Sequence, residues 1–251
     1  MLIQQTLEQL HALRLTGMAT ALSEQLGQRD LARLSFEDRL ALLVEREVTA
    51  RTDRRLTRLL QLARLRLPAA ALEDLDFRSA RGLDRALLLR LASGEWIRQH
   101  QTVLLIGATG TGKTYVACAL GQSACRHGLT VRYFRLPRLL HDLGLSRADG
   151  SYGKLLTTLA KAELVILDDW GLAPLADRER RDLLEVLEDR HGRRATLVTS
   201  QLPLEHWHNC VGDPTFADAI LDRLVHQAHR ITLKGTSMRR HEAEKKATKS
   251  D

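Results

Sequence analysis

The segment that most constrains the fold is Thr102-Val103-Leu104-Leu105-Ile106, an apolar run that passes directly into Gly107-Ala108-Thr109-Gly110-Thr111-Gly112-Lys113-Thr114. The residues from Tyr115 to Cys125 then read as a helix. This is the G-x-x-x-x-G-K-[ST] pattern in the strand, loop and helix context that its chemistry requires. Glycines let the backbone wrap so that N–H groups converge on phosphate oxygens, and the following helix adds its positive N-terminal end. Lys113 supplies a mobile charge for β- and γ-phosphates, and the Thr114 hydroxyl is placed to ligate Mg²⁺. All eight residues from Gly107 to Thr114, with Tyr115 beside them, are candidate ATP contacts. An incidental glycine-rich turn would need neither the strand before it nor the helix after it.

A magnesium ion held from the phosphate side also needs an acid from a neighbouring strand end. Leu164-Val165-Ile166-Leu167-Asp168-Asp169 supplies an apolar strand finishing in two carboxylates. Asp168 is expected near the Mg²⁺ shell, and Asp169 where it orients or deprotonates an attacking water. A strand can also end in Asp as a helix cap, but the upstream loop favours the metal reading.

Around these motifs, short β-rich runs alternate with helical segments: Thr102 to Ile106, Thr130 to Phe134, Leu164 to Leu167, Ala195 to Thr199 and Arg230 to Leu233. That alternation predicts βαβ units and a parallel sheet covered on both faces. Before it, Leu2 to about Arg66 is almost free of Pro and repeats apolar residues at helical spacing, as in Ile3, Leu7 and Leu10. Ser35 with Asp38 three residues on resembles a capping box that opens a long helix ending shortly before Pro68. The expected organisation is a helical domain over 1–75, an α/β core over 76–240 and a disordered tail over 241–251. Arg51, Arg54, Arg55 and Arg58 share one face of the long helix, as either a solvated surface or a phosphate-contacting one.

The 251 residues carry a net charge of +7, which suits a polyanionic partner such as nucleic acid without requiring one. Three cysteines without CxxC spacing point to a reducing compartment rather than a disulfide framework. No signal-peptide pattern opens the chain and no uncharged stretch of about 20 residues could span a bilayer, so a soluble cytoplasmic protein is expected.

Weaker signals follow. Ala195 to Gln201 is a strand ending in hydroxyl and amide groups, suited to a γ-phosphate or its attacking water, or simply a strand end before Pro203. Gly212-Asp213-Pro214 is a helix start, with Asp as N-cap and Pro at the first helical position. On that helix Arg223 is either an arginine finger or the partner of nearby acids. His206, His208 and Cys210 are set aside as a metal site, because structural zinc needs about four ligands in paired clusters. The three tryptophans are assigned to packing rather than base stacking.

Together these motifs resemble the AAA+ ATPases of the initiator and helicase-loader group, and most closely the IstB family of transposition helper proteins. The resemblance is carried by Gly107 to Thr114, Leu167-Asp168-Asp169-Trp170-Gly171, Thr199-Ser200-Gln201-Leu202-Pro203, Gly212 to Leu224, and Lys234-Gly235-Thr236-Ser237-Met238-Arg239. It implies a three-layer AAA+ P-loop fold with a five-stranded parallel sheet, a small all-helical N-terminal domain and no substantial C-terminal lid. It also implies ATP and Mg²⁺ as cofactors, hydrolysis stimulated by DNA and self-assembly, assembly on duplex DNA with low sequence specificity, and recruitment of a partner transposase. A replicative helicase loader of the same group is the alternative, and a P-loop kinase of a small metabolite is the reading from another class. Under the resemblance Thr199 to Gln201 occupy the sensor-1 position, with Ser200 among the nucleotide contacts. Arg223 is the finger acting in trans, and Arg239 is sensor-2-like. Where many such enzymes place Glu, this chain has the shorter Asp169, which implies slow basal turnover.

Overall fold

The computed structural model describes residues 2–28, 34–77, 81–235 and 238. They divide into two compact units, Met1–Arg58 and Leu59–Asp251.

The first unit is helical: α1 (Leu2–Ala12), α2 (Thr16–Gly27) and α3, which begins at Phe36 and runs to Ala63. The Ser35 hydroxyl accepts from the Asp38 N–H at 3.1 Å and donates to its carboxylate at 2.8 Å, so the expected cap is formed. Glu37 and Asp38 add negative charge to the first turn, where the helix dipole favours it. Helices α2 and α3 meet closely at Gly17, where an added Cβ would lie 2.8 Å from the Arg46 carbonyl oxygen. Against this contact the Glu47 carboxylate, 5 % exposed, accepts from the N–H groups of Gly17 at 2.7 Å and Met18 at 3.2 Å. Arg51 and Arg54 pair with its other oxygen at 2.7 and 3.3 Å. Two of the four arginines on that face are thus committed to an acid of their own helix.

The second unit is built on five strands: β1 (Thr102–Gly107), β2 (Val131–Arg135), β3 (Leu164–Trp170), β4 (Ala195–Ser200) and β5 (His229–Leu233). All pairings are parallel, in the order β2-β3-β4-β1-β5. The central strands are buried on both faces because helices cover each, as the unbroken apolar runs predict. One face carries α4 (Arg85–Ala92), α5 (Glu95–Arg98) and α6 (Lys113–Arg126); the other carries α7 (Leu136–Ala148), α8 (Tyr152–Lys161), α9 (Asp177–Arg190) and α11 (Pro214–Val225). The short α10 (Trp207–Val211) packs beside α11, which starts with Asp213 accepting from the Phe216 N–H at 3.0 Å. This is the three-layer AAA+ P-loop fold, and among the described residues no helical lid follows β5.

All three tryptophans are buried, and Trp170 stacks on Trp207 with ring centroids 4.7 Å apart. Arg190, 1 % exposed, donates to the carbonyls of Leu159, Ala162 and Ala195 and to the Thr196 hydroxyl. It ties the end of α9 to the turn before β3 and the start of β4. None of the described helices is long and apolar enough to cross a membrane.

Candidate functional site

The glycine loop leaves β1 at the carboxyl edge of the sheet, where open parallel sheets bind ligands. Gly107 begins it so close to β5 that an added Cβ would lie 2.3 Å from the Leu233 carbonyl oxygen, which excludes any side chain. After the loop, α6 starts at Lys113, so its unpaired N–H groups face the loop's concavity. The Lys113 ammonium folds back on the loop, donating to the carbonyls of Gly107 at 2.7 Å and Ala108 at 2.9 Å. Burial lowers its pKa below the ordinary lysine value, against the opposing pull of Asp168 and Asp169.

Asp168 is fully buried at the end of β3. Thr114 donates to it at 3.0 Å, Tyr133 at 2.5 Å and Thr199 also, so three hydroxyls converge on one carboxylate. A hydroxyl and a carboxylate this close, beside a loop of inward amides, are the donor set a magnesium ion takes in such sites. The donor set therefore fits, with Thr114 and Asp168 as the residues that would hold the ion.

Strand alternation would send Asp169 to the opposite face from Asp168. A register shift between Leu167 and Trp170 prevents this, because the bulge re-aims the chain and Asp169 takes a left-handed φ of 67°. Its N–H donates to the Thr199 hydroxyl at 3.2 Å. Its carboxylate accepts from Arg135 at 2.8 Å, and Arg66 lies 3.8 Å from both Asp168 and Asp169. Asp169 is therefore ion-paired in this structure, and Arg135 is held protonated above its ordinary value by the same bond.

The three sensor candidates separate by position. Thr199 bridges Asp168 and Asp169, and Gln201 accepts from the Thr109 hydroxyl at 2.6 Å across the mouth of the loop. Ser200 bonds the carbonyls of Trp170 and Leu202, both at 3.0 Å, and is not brought to the loop. Tyr115 bonds the backbone of Ala71 at 3.3 Å. Thr111 closes the loop on itself by donating to the Ala108 carbonyl at 2.8 Å. Gly110 accepts from the Met238 N–H at 2.9 Å, so the chain after β5 returns to the loop; Arg239 itself lies outside the described residues, as does the tail 241–251. Arg223 on α11 bonds Glu188 of α9 and the Ala219 carbonyl, in a different place from the loop. His208 pairs with Asp218 at 3.3 Å and the Cys210 thiol bonds the Ala173 carbonyl, so the two face different partners.

Sequence reading missed Arg66, Tyr133 and Arg135. For the last two a signal existed: polar residues two apart at the carboxyl end of a strand share a face where ligands bind. Arg66 gave none, since its pairing spans about a hundred residues of chain and rests on no local pattern.

The profile of the IstB-like ATP binding protein family matches residues 8–247. An insertion sequence ATP-binding protein of Sinorhizobium fredii is 52% identical over 98% of this chain and 100% of its own length. One of Pseudomonas fluorescens is 54% identical over 81% of this chain and 88% of its own. Among solved structures, DnaI aligns with a TM-score of 0.58 at 20% identity, over 71% of this chain and 94% of that one. The DnaC helicase loader aligns with a TM-score of 0.56 at 18% identity, over 66% of this chain and 97% of that one. At such identities the structural likeness speaks for the fold alone.

Proposed function

The chain belongs to the family of IstB-like ATP-binding proteins, and from that premise we propose that it is an ATP-hydrolysing regulator of insertion-sequence transposition. In this reading it assembles on duplex DNA through contacts mostly to phosphate and recruits or activates a partner transposase. The observation that carries the ATPase part is the Thr114 hydroxyl 3.0 Å from the buried Asp168 carboxylate, directly beneath the glycine loop.

The chain's own groups then divide the work. Backbone amides from Gly107 to Thr114 grip the phosphates, and Lys113 exchanges its loop carbonyls for β- and γ-oxygens. Bound Mg²⁺, held by Thr114 and Asp168, would neutralise charge on the β- and γ-oxygens. Thr199 and Tyr133 fix the orientation of Asp168. Asp169 orients the attacking water once released from Arg135, and Gln201, which meets Thr109 of the loop, offers its amide to the γ-phosphate or that water. Arg223 reaches the ATP of a neighbouring subunit, which makes hydrolysis depend on assembly.

The names of the two relatives above, both insertion-sequence ATP-binding proteins, favour transposition over helicase loading. The deciding experiment measures binding to long duplex DNA with a non-hydrolysable ATP analogue, with ADP and with no nucleotide, and then capture of an insertion-sequence transposase as against a replicative helicase. ATP-state binding that falls with salt, followed by capture, is expected. Binding indifferent to nucleotide, or capture of a replicative helicase instead, would reject the proposal.

A further inference from the structure

The bulge at the end of β3 brings two adjacent carboxylates to one guanidinium, since Arg66 Nη1 lies 3.8 Å from Oδ2 of both Asp168 and Asp169. Such a pairing needs explanation. Asp168 is fully buried, and its three hydrogen-bonding partners are neutral hydroxyls. A buried carboxylate without a cation carries a large desolvation cost. Lys113 donates hydrogen bonds to loop carbonyls and acts on Asp168 only as a nearby charge, and Arg135 is engaged by Asp169. Among the described residues, the ion pair of Asp168 is the one with Arg66.

We propose that Arg66 is a resident counter-cation for the Asp168–Asp169 pair, which a divalent ion must displace on entering the site. This rests on the reading of Thr114 and Asp168 as the ion's ligands. Two cations cannot share those oxygens at close range without repulsion. Arg66 is suited to leaving, because its side chain is 41% exposed and follows the end of α3 on a flexible stem. Asp168 thereby stays neutralised in the free protein, and divalent-ion affinity is held below what the ligands alone would give.

The test uses the full-length protein with a non-hydrolysable ATP analogue and Mn²⁺ as probe, with free Mn²⁺ read by electron paramagnetic resonance. Arg66→Gln is expected to bind Mn²⁺ about three- to fivefold more tightly, the range open to a half-exposed ion pair. Arg66→Lys should stay near wild type. Unchanged or weaker Mn²⁺ binding by Arg66→Gln overturns the proposal, the weaker case marking Arg66 as a phosphate contact. Should Arg66→Gln fail to fold, the wild-type Arg66 guanidinium resonances serve instead: a shift of those signals toward the free-arginine position on adding Mg²⁺ supports displacement, and unchanged signals oppose it. Asp168→Asn separates the premises, since Mn²⁺ binding undiminished in that variant would reject the site itself.

Discussion

Asp169 holds a left-handed φ of 67°, which costs a residue with a Cβ about 1 kcal/mol or more and persists only where the surroundings impose it. Asn accepts the same conformation as readily as Asp. Asp169→Asn should therefore keep the bulge and nucleotide binding, and lose the charge that polarises water together with its pairing to Arg135 and Arg66. Hydrolysis is expected to fall about 10²-fold, the lower range for a positioned general base, with nucleotide affinity unchanged. Phosphate release at equal rates in the variant and the wild type would reassign the base. Lys113→Ala makes the opposite separation. It removes a charge-assisted bond to phosphate, and nucleotide affinity by fluorescence titration should drop about 10- to 100-fold. At this scale legibility depended on whether a residue acts through its neighbours in sequence. The eight residues of the loop were readable because their spacing is the mechanism. The choice among Thr199, Ser200 and Gln201 was not, because it depends on which way β4 faces at its last residue.

Among the elements, four of the five strands were legible to within a residue, and β3 runs three residues past the expected Leu167, because parallel strands buried on both faces are continuous apolar runs and β3 continues through its two carboxylates. The bulge in β3 was not, since Asp168-Asp169-Trp170 gives no local sign that the register shifts between Leu167 and Trp170. The helical unit is held by an element contact just as nonlocal, the Glu47 carboxylate on the N-terminus of α2. Hydrogen bonding from Arg51, with help from the Gly17 and Met18 amides, holds the Glu47 pKa below its ordinary value despite opposing burial. A carboxylate with a depressed folded pKa contributes stability above its unfolded value of about 4.3, lost as pH falls through the folded value. Hydrogen-exchange protection of the Gly17 amide should accordingly collapse on acidification below that range. In Glu47→Gln the protection should be lower at neutral pH and lack this acid step; the same step in both would mean that another group controls it. Arg190 plays the matching part in the sheet unit. Replacing it with Leu leaves three carbonyls without this donor, and thermal or urea unfolding should show a loss of about 1–3 kcal/mol for each that stays unsatisfied.

At the scale of the molecule, what remains is whether one chain suffices for the chemistry. Arg223 bonds Glu188 and Ala219, away from the loop that carries Lys113, so a finger role requires a second subunit in a head-to-tail contact. The consequence can be counted. Arg223→Ala keeps an intact loop but offers no finger, whereas Lys113→Ala offers a finger but binds nucleotide poorly. Each alone should hydrolyse ATP slowly, with an arginine finger worth about 10³-fold or more. In an equal, randomly assembled mixture, half of the sites have a good loop and half of those face a good finger, so activity should recover to about a quarter of wild type. The recovery should rise with protein concentration and with added duplex DNA, because both favour assembly. A kinase-like monomer gives no recovery at any ratio, since each variant lacks its part within the same chain. Steady-state phosphate release across a series of mixing ratios distinguishes the outcomes: a maximum near equal proportions supports the shared site, and a flat line at the level of the separate variants rejects it.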